Sequence, residues 1–177
     1  MGRTTDLRRE IKQRFFPLMT ATGFTVDMRD APFFFGFRRM TPDVIQVCDV
    51  QWDSYGRPRF VINFGKCSPA GVICHGQPVR PEDVTASATP LRGRLAPGRH
   101  STIGGWFRQD RPLIESILHL SPLRSPAEVV TTLLTLFHEV EDWWEDGSIG
   151  LHVRIIAMRY SRDIAGGAPM AGRRAIL

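Results

Sequence analysis

Between Phe24 and Gly65 the chain changes character every few residues, and this most restricts what it can fold into. Phe24 to Met28 alternates apolar and polar residues, and Asp30-Ala31-Pro32 reads as a turn. Phe33 to Arg39 is aromatic and ends in a basic pair, after which Thr41-Pro42-Asp43 turns again. Val44 to Trp52 is apolar at first and alternating later. Ser54 to Pro58 is the next turn and Phe60 to Gly65 the next strand. Runs of this length, parted by a few turn residues, predict an antiparallel meander. An all-helical chain is excluded, and a doubly wound fold is disfavoured because strands and helices do not alternate.

Helical spacing frames the meander. Leu7, Ile11, Phe15, Leu18 and Thr22 recur at three- or four-residue steps and predict a helix over 6–22. Thr5 is its expected cap, Gly23 its stop, and Pro17 an internal kink or break. Later, Leu113, Ile114, Ile117, Leu118 and Leu120 define a broad apolar face over 111–120. Ser125-Pro126-Ala127-Glu128 then has the composition of a capping box with Pro at the first helical position. Val129, Val130, Leu133, Leu134, Phe137, Val140 and Trp144 follow as its buried stripe. Glu139, Glu141, Asp142, Glu145 and Asp146 crowd the end of that helix, where the macrodipole disfavours them, and read as a solvated face. Trp143 and Trp144 read as one core residue and one partly exposed residue.

Between these helices and the meander, 68–105 is rich in Pro, Gly and Ser. Val72 to Cys74 and Leu91 to Leu95 are short strand candidates, and 77–89 reads as a loop. Ile149 to Met158 fits a strand by its alternation and a helix by its later composition. The tail from Ile164 is rich in Gly, Ala and Arg and reads as disordered.

The chain has 177 residues and a formal charge of +5. The excess lies at the ends. Residues 1–16 and 159–177 each carry +3, whereas 17–158 carries −1. Nucleic-acid binding is therefore not expected except through basic terminal arms. The longest apolar runs, such as Phe33-Phe34-Phe35, are far too short to span a membrane. The N-terminus lacks the apolar stretch of a secretory signal. Asp6 stands where a myristoylation motif needs Ser or Thr, and the C-terminus lacks a prenylation cysteine. The expected location is cytoplasmic, with Cys48, Cys67 and Cys74 as reduced thiols.

Several segments together resemble a bacterial family catalogued as domain of unknown function 4304. A helix ends in Gly23-Phe24 and an aromatic strand leads into Val44 to Trp52. Phe60-Val61-Ile62-Asn63-Phe64-Gly65 is similar to the family's Phe-Thr-Ile-Asn-Leu-Gly strand. Cys74, then Arg94-Leu95, then Trp106 follow in the family's order, over about residues 7 to 145. The resemblance implies an α+β domain and no particular activity.

Known catalytic and metal signatures fail on spacing. Cys67, Cys74, His75 and the distant His100 lack the close pairs of structural zinc sites, and His138-Glu139 lacks the second His of a zincin helix. Cys74 and His75 are strand neighbours, whose side chains point to opposite faces. Asp49 and Asp53 face the same way beside Trp52 and would be able to share a proton or a cation, although a solvent-facing role is the simpler expectation. Arg92, Arg94, Arg99, His100 and Arg108, with Trp106 and Phe107 among them, form the densest basic stretch of the body. Guanidinium forks beside an aromatic ring suit an anion or an acidic peptide.

The expected fold is a single α+β domain over 1–158, followed by a disordered basic tail over 159–177. Its antiparallel sheet has about five to six strands, built from 24–75 and 91–108. An N-terminal helix and two C-terminal helices pack on one face. The expected function is a non-enzymatic protein- or peptide-binding module without a metal or other cofactor, of an immunity or accessory type by analogy. The alternative is an enzyme or binder acting on an anionic small molecule. In either case Arg92, Arg94, Arg99, His100, Trp106 and Arg108 are the candidate ligand-binding residues, with His100 as acid or base if there is catalysis. A strand at 149–158 would also offer an edge for a homodimer.

Overall fold

The structure is a computed structural model that describes residues 2–98, 105–111, 113–118 and 123–157. The protein is α+β. Helix α1 (Arg3–Ala21) precedes strands β1 (Thr25–Asp27), β2 (Phe34–Met40), β3 (Ile45–Trp52) and β4 (Arg59–Cys67). A hairpin of β5 (Val72–Cys74) and β6 (Gln77–Val79) follows, with two single 3-10 turns at Pro81–Asp83 and Ala86–Ala88. The chain continues with β7 (Leu91–Leu95), β8 (Phe107–Arg108), α2 (Leu113–Leu118), α3 (Pro126–Leu136), α4 (His138–Glu145) and β9 (Val153–Ala157).

The main sheet is antiparallel, in the order β1-β2-β3-β4-β7-β9, with the short β8 also pairing to β4. One open choice closes and one expectation changes. Within Ile149 to Met158, Val153–Ala157 forms a strand, β9, which adds to β7. β5 stands outside the main sheet and pairs with β6, which lies inside what the sequence reads as a loop.

One face of the sheet is packed against α1, α3 and α4. Leu7, Ile11, Phe15 and Met19 of α1 are fully buried, with Met19 in the place expected for Leu18. α1 also starts earlier than predicted, with Gly2 as its N-cap, and runs through Pro17. These residues meet Phe35, Phe37, Cys48, Val50, Phe60, Ile62 and Phe64 from the strands. The rings pack edge to face, as in Phe15 on Phe37 at 5.4 Å and Phe64 on Trp143 at 5.1 Å, a geometry that aligns ring edges with π faces. Gly93 lies so close under the Phe64 ring that a side chain there would collide with it.

The helix after Ser125 forms with the expected capping box. Ser125 Oγ accepts the Glu128 N–H at 3.1 Å and Glu128 Oε2 accepts the Ser125 N–H at 2.6 Å. It divides at Phe137 into α3 and α4. Trp143 and Trp144 are both buried, against the expectation of one exposed ring, and the Trp144 indole N–H donates to the Gly65 carbonyl at 3.0 Å.

The acidic end of α4 is not simply a solvated face either. Glu139 is buried and accepts the His152 N–H at 2.8 Å, with Oε1 2.6 Å from His152 Nδ1. Glu141 accepts from Arg39, whose guanidinium also lies 4.4 Å from the Phe24 ring centre. Lys66 Nζ donates to the Trp143 carbonyl at 3.2 Å, which places a cation at the negative end of α4. α2 departs from its predicted apolar docking: Ile117 and Leu118 are exposed.

Candidate functional site

Side chains alternate across a strand, so the residues between the core positions form the opposite face. The register lines up six of them in one lateral row, one from each strand. From β1 to β9 the row reads Asp27, Gly36, Asp49, Asn63, Arg94 and Arg154. It is acidic at one edge of the sheet and basic at the other.

Residues 72–86 cover a corner of this face. Val84 and Ala86 pack on Ile45, Val47 and Cys67. Thr89 sits so close over Gly65 that only glycine fits beneath it. The stretch read from sequence as a loop is therefore a packed cover, and Thr89 and Ala86 are fully buried.

At the basic end, Arg94 Nε donates to Asn63 Oδ1 at 3.0 Å, and Asn63 Nδ2 donates to Gln51 Oε1 at 3.0 Å. This chain of amides fixes the Arg94 guanidinium on the sheet. Arg92, one pleat away on β7, donates to the Ser87 carbonyl. Arg154 lies opposite Arg94 on β9 and is exposed. Burial lowers the Arg94 pKa, and the like charges of Arg154 and Arg92 lower it further. None of the three forms an ion pair with a carboxylate among the described residues.

The other predicted site residues are placed apart from Arg92 and Arg94. Trp106 lies under the Arg59 guanidinium, 4.6 Å from its ring centre, and Arg108 pairs with Arg59 across β8 and β4. Arg59 in turn holds Asp53 Oδ2 at 2.7 Å, and Arg57 Nε donates to Asp53 Oδ1 at 3.1 Å. Arg99 and His100 lie outside the described residues.

Arg154 is the group that sequence reasoning missed. Its segment was ambiguous between helix and strand, and only the β7–β9 register brings it beside Arg94.

At the acidic end, Asp49 is 8% exposed, and its Oδ2 accepts the Ala86 N–H at 2.9 Å. Burial pushes its pKa up to about 6, with Asp30 and Asp27 adding to the rise and the Ala86 N–H and Arg38 opposing it. Asp53 moves the other way. Its own burial would raise it, but the bonds from Arg57, Arg59 and the Tyr55 N–H hold it well below the usual carboxylate range. The two aspartates thus have separate partners, and neither is hydrogen-bonded to the other.

Cys48 and Cys67 are buried, and Cys74 is half-buried; all three are free thiols. Burial pushes the Cys48 thiol well above its ordinary value, which makes it a packing residue rather than a nucleophile. Among the described residues no three His, Cys, Asp or Glu side chains converge to hold a metal ion, and no helix is long and apolar enough to cross a membrane. No protein-family model, curated protein or solved structure matches the chain.

Proposed function

We propose that this protein is a non-enzymatic binding domain that holds an acidic peptide segment of a partner protein on the basic edge of its outer sheet face. The observation that carries this is the triad of Arg92, Arg94 and Arg154, set side by side on adjacent antiparallel strands with no carboxylate ion-paired to any of them among the described residues. Like charges so placed repel one another, and an anion bound across them would relieve that repulsion. Arg94 supplies the anchor, because its Nε is already fixed to Asn63 and its remaining N–H groups are pre-oriented. The three cations lie along strands rather than around a closed cavity, which suits an extended chain with spaced carboxylates better than one compact anion. The resemblance to domain of unknown function 4304 belongs to the same proposal and adds no chemistry to it.

The test is fluorescence polarisation with a labelled octapeptide of alternating Asp and Glu. Binding is expected to weaken steeply with added salt. Arg94→Ala and Arg154→Ala should each weaken it about tenfold, ~1.4 kcal/mol. No binding at low salt, or wild-type affinity in both variants, overturns the reading. Binding of inorganic phosphate alone in the same arginine-dependent way would turn the site over to a small anionic ligand.

A further inference from the structure

Helix α1 packs on the opposite face of the sheet from Arg94, and its flank carries a separate pair of cations. Two carboxylates lie in its first turns, and both are taken. Asp6 accepts from Arg9 at 2.8 Å, and Glu10 lies 3.4 Å from Arg14. Arg8 and Lys12 are left with no carboxylate and no hydrogen bond among the described residues. They stand one turn apart, at the i,i+4 spacing that brings two side chains together and makes like charges destabilising.

Both cations rest on the core. The central carbon of the Arg8 guanidinium lies 5.0 Å from the centre of the Trp52 ring, and Lys12 Nζ lies 5.3 Å from the centre of the Phe35 ring. The two ring centres are 5.6 Å apart, so the cations sit side by side on one aromatic platform. The unmet need here is for acceptors. Arg8 Nε and the indole N–H of Trp52, the ring that Arg8 covers, are both buried donors without a partner, and Trp52 is 2% exposed. A donor that has lost water and gained no acceptor is costly. Burial also lowers the Arg8 pKa, with no carboxylate to offset it. Beside the pair is an open hollow of about 390 Å³, lined by Thr5, Arg8, Arg9, Lys12 and Gln13. No carboxylate lines it. The Thr5 hydroxyl and the Gln13 amide make no hydrogen bond among the described residues.

We propose that this hollow binds a phosphate group, free or as the monoester of a small molecule, between Arg8 and Lys12. One compact dianion bridging the two cations removes their mutual repulsion. Its oxygens accept from the terminal nitrogens of Arg8, which unlike Nε are open to solvent, and from the Lys12 ammonium, with Thr5 and Gln13 as further donors. Because both cations already lie on rings, little side-chain freedom is lost on binding. No apolar side chain lines the hollow, so the rest of an ester stays in water. The arginine edge differs in spreading three cations along two strands, which suits an extended chain.

The Trp52 indole N–H is a built-in reporter, because Arg8 lies on its ring. In NMR titrations at fixed ionic strength, inorganic phosphate and phenyl phosphate should each shift it saturably, together with the Arg8 and Lys12 amides, while sodium chloride does not. The buried indoles of Trp143 and Trp144 should stay in place. Arg8→Gln and Lys12→Gln should each weaken binding about tenfold, and Lys12→Arg should keep it. Lys12 is exposed and makes no hydrogen bond, so its variants keep the fold and decide the matter even if Arg8→Gln does not. Tighter binding of phenyl phosphate than of inorganic phosphate assigns the site to an ester, and the reverse order to the free ion. Lys12→Gln should leave the acidic octapeptide at its wild-type affinity, which separates this site from the arginine edge. Signals that move no more than they do in chloride overturn the proposal. So does wild-type phosphate affinity in Lys12→Gln.

Discussion

The two faces of the sheet are built on opposite terms. The inner face buries Phe35, Phe37, Phe60, Phe64 and Phe107 under α1, α3 and α4, and its polar atoms are few. The outer face carries a polar row, three of whose charged residues, Asp27, Arg94 and Arg154, are exposed or half-buried, and among the described residues it is covered at one corner by residues 72–86. The same strands serve both, because the pleat sends alternate residues each way. The inner face carries the stability, so the outer face is free to hold like charges and a buried carboxylate.

Phe64→Ala attacks the inner face where it is densest, beneath Trp143 and Trp144 and above Gly93. It should cost about 3–5 kcal/mol in denaturant unfolding. A loss below ~1 kcal/mol would mean that the aromatic layer is not the main support. Gly93→Ala adds a single methyl against the same ring and should cost about 1–3 kcal/mol by overpacking. An unchanged midpoint would break the close-approach argument.

On the outer face the sign reverses. The Asp49 pKa is raised from 3.8 to about 6, so its contribution to stability is greatest at low pH and is lost as pH rises from about 4 to about 6. Asp49→Asn keeps an acceptor for Ala86 and should therefore be more stable than wild type at pH 7 by about 1–3 kcal/mol. Its stability should also vary less between pH 4 and 6. Thermal unfolding across that window checks both, and a destabilised variant with unchanged pH dependence would sink the assignment. Arg154→Ala should be the mildest change, within about 0.5 kcal/mol, because the residue is exposed and unpaired by any carboxylate among the described residues. A larger loss would show that the basic edge is structural.

The two faces also differ in how much of them could be read from the sequence. Phe24 to Gly65 gave each inner strand correctly within a residue or two, because alternation and turn residues are local signals. Ser125 to Glu128 announced a helix start in the same way. What stayed hidden depends on pairing across distance. Local pattern leaves Ile149 to Met158 open between strand and helix, and pairing with β7 makes Val153–Ala157 a strand. Residues 77–89 look polar and broken, yet Val84 and Ala86 are buried because the outer corner of β3 and β4 needs a cover. Glu139 reads as one of a charged run, and only the fold brings His152 to it. The site shows the same split. Arg92 and Arg94 were visible as a basic cluster, and Asp49 as a strand carboxylate. That Asp49 and Arg94 stand in one row, with Arg154 at its end, follows only from register.

That row has a long-range consequence. Negative charge at the β1 edge and positive charge at the β9 edge, held on a rigid sheet, form an electric dipole lying in the plane of the strands. A charged molecule nearby exerts a torque on it before any contact is made, so the protein is turned to face its visitor as it diffuses. Such pre-alignment speeds encounter and fades within about 10 Å at 0.1 M salt. An acidic chain would be steered to the β9 end.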